Sequence, residues 1–205
     1  MKIYSHTIQG KRAYQQDRFH VEEGRVIVAD GMGGHANGDL AAQAVVNSVL
    51  AKGKSLANVL ESLSIADDQC INAHDGRGST AIVAAFKEDS IFVCSVGDSP
   101  VYHCNLKDLK QFQAHCLPVF VLDEDPYSGS LTNGIGFMSR VSIQIANLRP
   151  GDVYILATDG VTISPVDISK MLRAWDGVSN FAQELVEVSY NAGSSDNITA
   201  VVLHA

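Results

Sequence analysis

Strand-like and helical stretches do not alternate along this chain; strands arrive in hairpins and helices in consecutive pairs. Runs rich in Val and Ile, bounded by Gly, Asp or Ser, predict strands at 3–8, 18–22, 25–29, 79–86, 91–96, 101–105, 141–147, 153–158 and 198–204. Helices are expected over 39–51, 56–73, 166–175 and 178–191. In the second of these, Leu56, Val59, Leu60, Leu63, Ala66 and Cys70 recur at helical spacing and leave one apolar face. Asn37 and Ser55 stand where the caps of the first two helices belong. A parallel sheet needs strand-helix-strand units in succession. This order instead predicts an α+β fold of antiparallel sheets with helices packed outside. The region 107–136 carries no pattern and is expected to be loop.

The 205 residues suit one domain, 1–205, with no internal repeat, low-complexity tract or proline-rich linker. Hydrophobic residues at 46% and charged ones at 19% exclude a disordered chain. No apolar run approaches the roughly 18 residues of a membrane-spanning helix. The N-terminus lacks a basic stretch followed by an apolar one, so no signal peptide is expected. A soluble, cytoplasmic protein without a membrane partner follows as the expectation. The net charge of −8 and the isoelectric point near 5.2 argue against nucleic acid or an anionic membrane as partner. Cys70, Cys94, Cys104 and Cys116 are scattered, with no Cys-x-x-Cys pair, and read as buried thiols, not disulfides or a zinc site.

The aspartates are placed where strands begin and end. Asp30 ends the run 25–29, Asp98 follows 91–96 after one glycine, and Asp159 ends 153–158. Asp17 and Asp196 stand just before strands. In antiparallel sheets the finish of one strand and the start of its neighbour share an edge, so these five acids can converge on one rim. If Glu23-Gly24 is a two-residue hairpin loop, paired positions sum to 47, as do 17 and 30, so Asp17 faces Asp30. Like charges at about 5 Å are unfavourable unless a cation sits beside them. Glycines and small polar residues flank each acid, letting backbone carbonyls approach a ligand. Carboxylates with carbonyls, and no His/Cys cluster, select Mg²⁺, Mn²⁺ or Ca²⁺. One Asp-Gly alone is more often a turn; five acids at strand edges are harder to read that way.

The string Asp30-Gly31-Met32-Gly33-Gly34-His35-Ala36-Asn37-Gly38 resembles the signature of the metal-dependent protein phosphatases of type 2C in their bacterial form. The family's other elements follow in order: Arg12-Ala13-Tyr14-Gln15-Gln16-Asp17, Gly78-Ser79-Thr80-Ala81, Gly97-Asp98-Ser99, Ala157-Thr158-Asp159-Gly160 and Ser195-Asp196-Asn197-Ile198-Thr199. The resemblance implies a serine/threonine phosphatase, a four-layer α-β-β-α sandwich, with a hydroxide bridging two Mn²⁺ or Mg²⁺ ions as nucleophile. Asp30 would bridge both metals, the Gly31 carbonyl would ligate one, and Asp159 and Asp196 would complete the other. Gln16 and Asp17 would hold metal-bound waters, Asp98 would take a third, looser metal, and Arg12 would grip the substrate phosphate. The implied partners are phosphoproteins, those of a Ser/Thr kinase, met by a monomer. His35 is the candidate proton donor, though a packing role at a helix entry fits it equally; His115 has a similar standing.

Several positions depart from the family. Pro100 stands where an arginine is usual, and Ala114-His115-Cys116 replaces an Asp-His-Ser element. The segment 117–130, in the place of a mobile flap, is short, and 131–136 is a blurred version of the next element. These lie outside the inferred metal core and point to altered substrate recognition. The other reading they admit is a catalytically impaired phosphoprotein-binding module on the same fold. Asp123-Glu124-Asp125 reads as a solvated loop, and Trp175 as helix-face packing. No Cys-x5-Arg loop, Gly-x4-Gly-Lys-Ser/Thr loop or Asp-x-Asp-x-Asp-Gly loop is present, which sets aside cysteine phosphatases, P-loop hydrolases and EF-hand proteins.

Overall fold

The computed structural model describes residues 1–32, 37–112, 114–128 and 130–205. In chain order the elements are β1 (Lys2–Ile8), β2 (Arg18–Glu22), β3 (Arg25–Ala29), α1 (Gly38–Leu50), α2 (Leu56–Asn72), β4 (Ala81–Lys87), β5 (Ser90–Val96) and β6 (Val101–Asn105). There follow α3 (Leu106–Phe112), β7 (Leu117–Pro118), β8 (Ser142–Asn147), β9 (Asp152–Ala157), α4 (Pro165–Ala174), α5 (Phe181–Asn191) and β10 (Ile198–His204). Sheet I runs β1-β10-β9-β6-β7 and sheet II runs β2-β3-β4-β5-β8. Every neighbouring pair is antiparallel.

Three apolar cores set the layering. Ile27, Ala29, Val83 and Val96 of sheet II pack under α1 and α2. Val153, Ile155, Ala200 and Val202 of sheet I pack under α3, α4 and α5. The alternate positions on both sheets, among them Val26, Val28, Ile82, Tyr154, Leu156 and Val201, meet between the sheets. The result is the α-β-β-α sandwich that the motif order implied. Because both faces are covered, β9 is buried along its whole length, as is most of β4. Such strands read as continuous apolar runs without alternation.

The hairpin arithmetic holds: Arg18 pairs with Ala29 and Glu22 with Arg25 around a turn whose Gly24 has φ 78°. Local departures have local causes. The strand expected at 79–86 starts at Ala81, because Ser79 bridges to Gly31 and Ile135 instead. The helix expected at 178–191 starts at Phe181, with Asn180 accepting from the Gln183 N–H as its cap. Ser55 caps α2 through the Asn58 N–H. Asn37 makes no such bond; it sits at φ 69° and its side-chain amide donates to Asp75. The region 107–136 holds most of α3 and all of β7. Among the described residues, no helix is long and apolar enough to cross a membrane.

Candidate active site

The acids collect at one end of the sandwich, on the rims of both sheets. Asp17 directly precedes β2 and Asp30 directly follows β3, so the hairpin register sets them opposite each other on sheet II. Asp159 lies just beyond β9 and Asp196 just before β10, on the matching rim of sheet I. Asp98 sits in the β5–β6 turn, where the chain passes from one sheet to the other. An apolar cavity of about 1270 Å³, lined by Gly24, Leu56, Phe86, Phe92, Ile145 and Pro150, lies at the opposite, hairpin-loop end and gathers none of these acids.

Each acid is held by neighbours whose roles only the fold reveals. Asp30 is fixed by its backbone: its N–H donates to Thr80 Oγ1 at 3.1 Å, and its carbonyl accepts from Thr80 N at 2.9 Å and Ser79 Oγ at 2.9 Å. Thr80 Oγ1 is also 2.7 Å from Ser99 Oγ, which ties the Asp98 turn to the same post. The Gly-Ser-Thr element is thus a clamp. Gly31 follows because a Cβ there would lie 2.3 Å from the Gly38 carbonyl oxygen. On sheet I, the registers β1–β10 and β10–β9 line up Thr7, Thr199 and Thr158 in a row across three strands. Thr199 Oγ1 donates to Asp17 Oδ2 at 2.6 Å and Thr158 Oγ1 to the same oxygen at 3.1 Å. Asp17, a sheet II residue, is thereby tied to two strands of sheet I.

Asn197 organises the loop that carries Arg12, Gln16 and Asp17. Its side-chain amide donates to the Gln9 and Tyr14 carbonyls at 2.7 and 2.9 Å, and its Oδ1 accepts from Gln16 N at 2.8 Å. Gly160 lets the Asp159 turn touch the 196–197 turn, since a Cβ there would stand 1.9 Å from the Asn197 carbonyl oxygen. Arg12 presents its fork to Asp196, Nε at 2.8 Å and the terminal nitrogen at 2.6 Å, a bidentate pair.

Negative charge is crowded here. Burial, then the Asp17, Asp159 and Asp196 charges, push the Asp30 carboxyl well above its usual range. Burial raises Asp17 to about 6, against the bonds from Thr199 and Thr158 that favour its charged form. Asp159 rises through burial and the Asp196 charge, and Asp98 rises to about 6 through burial and the Asp159 charge. Arg12 is raised by its bond to Asp196 and also feels Asp159 and Asp30.

The donor set fits hard divalent cations. Asp17 is 4% exposed, yet its Oδ1 is buried without a hydrogen-bond partner, while Oδ2 takes two. A buried carboxylate oxygen left without a donor is costly unless positive charge faces it. Among the described residues, no three His, Cys, Asp or Glu side chains already form a cage for an ion. An ion here would draw the rest of its shell from carbonyls such as that of Gly31 and from water, as Mg²⁺ does.

Of the residues singled out from sequence, Arg12, Asp17, Asp30, Gly31, Asp159 and Asp196 come together, and Gln16 joins them with its amide against Gly38. Asp98 stands at the edge, sensing Asp159 on one side and Glu124 and Asp123 on the other. His35 lies outside the described residues. His115 is exposed and Pro100 buried. Asp123 is corrected: it is 2% exposed, not solvated. It accepts from Gly97 N at 3.1 Å and Asn133 Nδ2 at 2.6 Å, pairs with Arg140, and so anchors the 117–130 segment to the Asp98 turn. Trp175 is buried at the end of α4, against Tyr4 and Phe181.

A family model described as Protein phosphatase 2C matches residues 4–202. The serine/threonine protein phosphatase PstP of Mycobacterium tuberculosis is 26% identical over 217 residues, which is 93% of this chain but only 42% of that protein. Among solved structures, the serine/threonine phosphatase Stp1 of Staphylococcus aureus superposes with a TM-score of 0.86 at 18% identity, covering 100% of this chain and 94% of that one. The PstP catalytic domain in complex with two manganese ions gives 0.83 at 21%, covering 98% and 96%.

Proposed function

The chain belongs to the protein phosphatase 2C family, whose members are hydrolases, and from that premise we propose that it is a metal-dependent serine/threonine protein phosphatase. The observation that carries the proposal is the ring of Asp17, Asp30, Asp159 and Asp196 on the facing rims of two sheets, with Arg12 beside it. Asp30, Asp159, Asp196 and the Gly31 carbonyl would hold two Mn²⁺ or Mg²⁺ ions, Gln16 and Asp17 would hold their waters, and Asp98 would serve a third ion. When bound, such a pair supplies a hydroxide nucleophile at neutral pH and neutralises the phosphoryl oxygens. Phosphomonoesters are among the slowest bonds to hydrolyse, so this charge neutralisation is the larger part of the task. The named PstP structure with two manganese ions supports the choice of metal.

The chain's own residues divide the remaining work. Thr158 and Thr199 saturate Asp17 Oδ2, which leaves Oδ1 as the atom free to accept a hydrogen bond from the attacking water. Arg12 would turn its fork from Asp196 to the phosphoryl group, exchanging one pair of anionic oxygens for another. The substrates we propose are phosphoserine and phosphothreonine proteins, the products of a Ser/Thr kinase, met in the cytoplasm by a monomer.

Thr199→Val keeps shape and the backbone donation to Thr158 but removes the strongest donor to Asp17. It is expected to weaken Mn²⁺ binding by roughly tenfold, within the range for residues that orient metal-site ligands. Calorimetric Mn²⁺ titration of folded protein checks this; an unchanged affinity would remove the threonine from the site.

The function itself is tested by phosphate release from a phosphothreonine peptide, with Mn²⁺ and then with excess EDTA. Release that EDTA abolishes is the expected result. No release with any divalent metal from folded protein would favour a phosphoprotein-binding module.

A further inference from the structure

We propose that Cys104 and Cys116 form an oxidation site, a thiol pair that closes to an intramolecular disulfide when the protein meets a peroxide. Sequence spacing gives no hint of it, because the pair is made by strand register. Strand β6 pairs with β7 at Tyr102↔Pro118 and His103↔Leu117, and Val119 N donates to the Val101 carbonyl at 2.8 Å. The same register places Cys116 opposite Cys104.

Antiparallel positions alternate between hydrogen-bonded and non-hydrogen-bonded pairs. Pro118 has no N–H and occupies a non-bonded position, so Cys104 and Cys116, two steps along, occupy another. In keeping with this, Cys116 N donates elsewhere, to Ser169 Oγ at 2.8 Å. Non-bonded partners stand about 4.5 Å apart at Cα with their side chains close. That falls within the roughly 4.4–6.8 Å that a disulfide spans. The two sulfurs are in contact at 2.7 Å, both on the helix-covered face of sheet I. Among the described residues no other sulfur pair is in contact, and Cys70 and Cys94 lie in the separate core under α1 and α2.

The step balances. Peroxide oxidises one thiol to a sulfenic acid and releases one water; the second sulfur attacks it, forming the S–S bond and expelling a second water. Two electrons leave the sulfur pair and two thiol protons end in water. Contact with Cys116 and burial hold the Cys104 thiol well above its usual range, so reaction waits on local opening. The opening is close at hand: Cys116 is the one buried residue in an otherwise exposed or half-buried stretch, 114–118, and β7 is a two-residue edge strand. The bond would close the loop that holds α3. It would also pin the base of the segment that crosses to the Asp98 turn, where Asp123 N donates to the Gly97 carbonyl at 3.2 Å.

The test treats reduced, folded protein with hydrogen peroxide, alkylates it in denaturant and maps the peptides by mass. Expected are a loss of about 2 Da confined to peptides joined through Cys104 and Cys116 and a fall in alkylatable thiols from four to two. The melting temperature should rise by roughly 5–10 °C. Dithiothreitol should reverse all three changes. Cys104→Ser and, separately, Cys116→Ala should each abolish the mass loss. Four thiols surviving, a bridge that includes Cys70 or Cys94, or over-oxidation of one sulfur without cross-linking would overturn the proposal.

Discussion

Asp30→Asn lowers kcat on a phosphothreonine peptide by about a thousandfold or more and leaves the metal-free protein at least as stable as wild type. Both halves of this expectation come from the same position. Asp30 is where the other carboxylates converge: Asp17, Asp159 and Asp196 each raise its proton affinity, after burial has done so. An amide of the same shape keeps the backbone clamp of Thr80 and Ser79 intact, because those bonds involve the Asp30 main chain. It cannot supply the negative charge that a divalent ion between two rims would need. A residue whose loss silences turnover but does not loosen the fold is a ligand and not a support. Initial rates with saturating Mn²⁺, paired with thermal melts in EDTA, separate the two. Activity within about tenfold of wild type would sink the assignment of Asp30 as the shared ligand.

Asp17→Asn stabilises the metal-free protein at pH 7.5 while weakening turnover. Asp17 is raised from 3.8 to about 6 in the folded chain by burial. Between those values the native state binds more protons than the unfolded state, so stability falls as pH rises through the window, and the contribution of protonated Asp17 is fully lost above it. The shift corresponds to a penalty on the order of 3 kcal/mol at neutral pH. For a chain of this length that is several degrees of melting temperature. The asparagine still accepts from Thr158 and Thr199 and carries no charge, so its melting temperature should exceed wild type in EDTA at pH 7.5. The gap should shrink toward pH 4, where wild-type Asp17 is protonated. Saturating Mn²⁺ should reverse the order. Melts across pH 4–8 check the sign; a variant less stable than wild type at pH 7.5 in EDTA would refute the idea of an uncompensated buried charge.

What could be read from sequence was what local chemistry decides. The Glu23-Gly24 turn fixed the pairing of Asp17 with Asp30, and hairpins plus paired helices pointed to antiparallel sheets. Three kinds of feature were hidden. The helix α3 buries only Leu109, so it leaves no apolar stripe to detect, and β7 is two residues long. Asp123 looks like one acid in a polar run, and only the approach of Gly97, Asn133 and Arg140 makes it a buried anchor. The threonine row and the Asn197 brace join residues about 140 to 190 positions apart, and become visible once β1, β10 and β9 are known to be neighbours.

The two rims belong to different layers, and besides the threonine and Asn197 bonds that cross between them, the apolar filling sets one against the other. Val26, Val28 and Ile82 on one side and Tyr154, Leu156 and Val201 on the other act as the spacer of a calliper whose jaws are the acids. A change in that filling, made far from any charge, alters the gap between the jaws. With the rims holding ions as proposed, ion preference would drift during evolution through substitutions that never touch an oxygen ligand, and a search for the origin of metal selectivity belongs as much in this middle layer as at the rim.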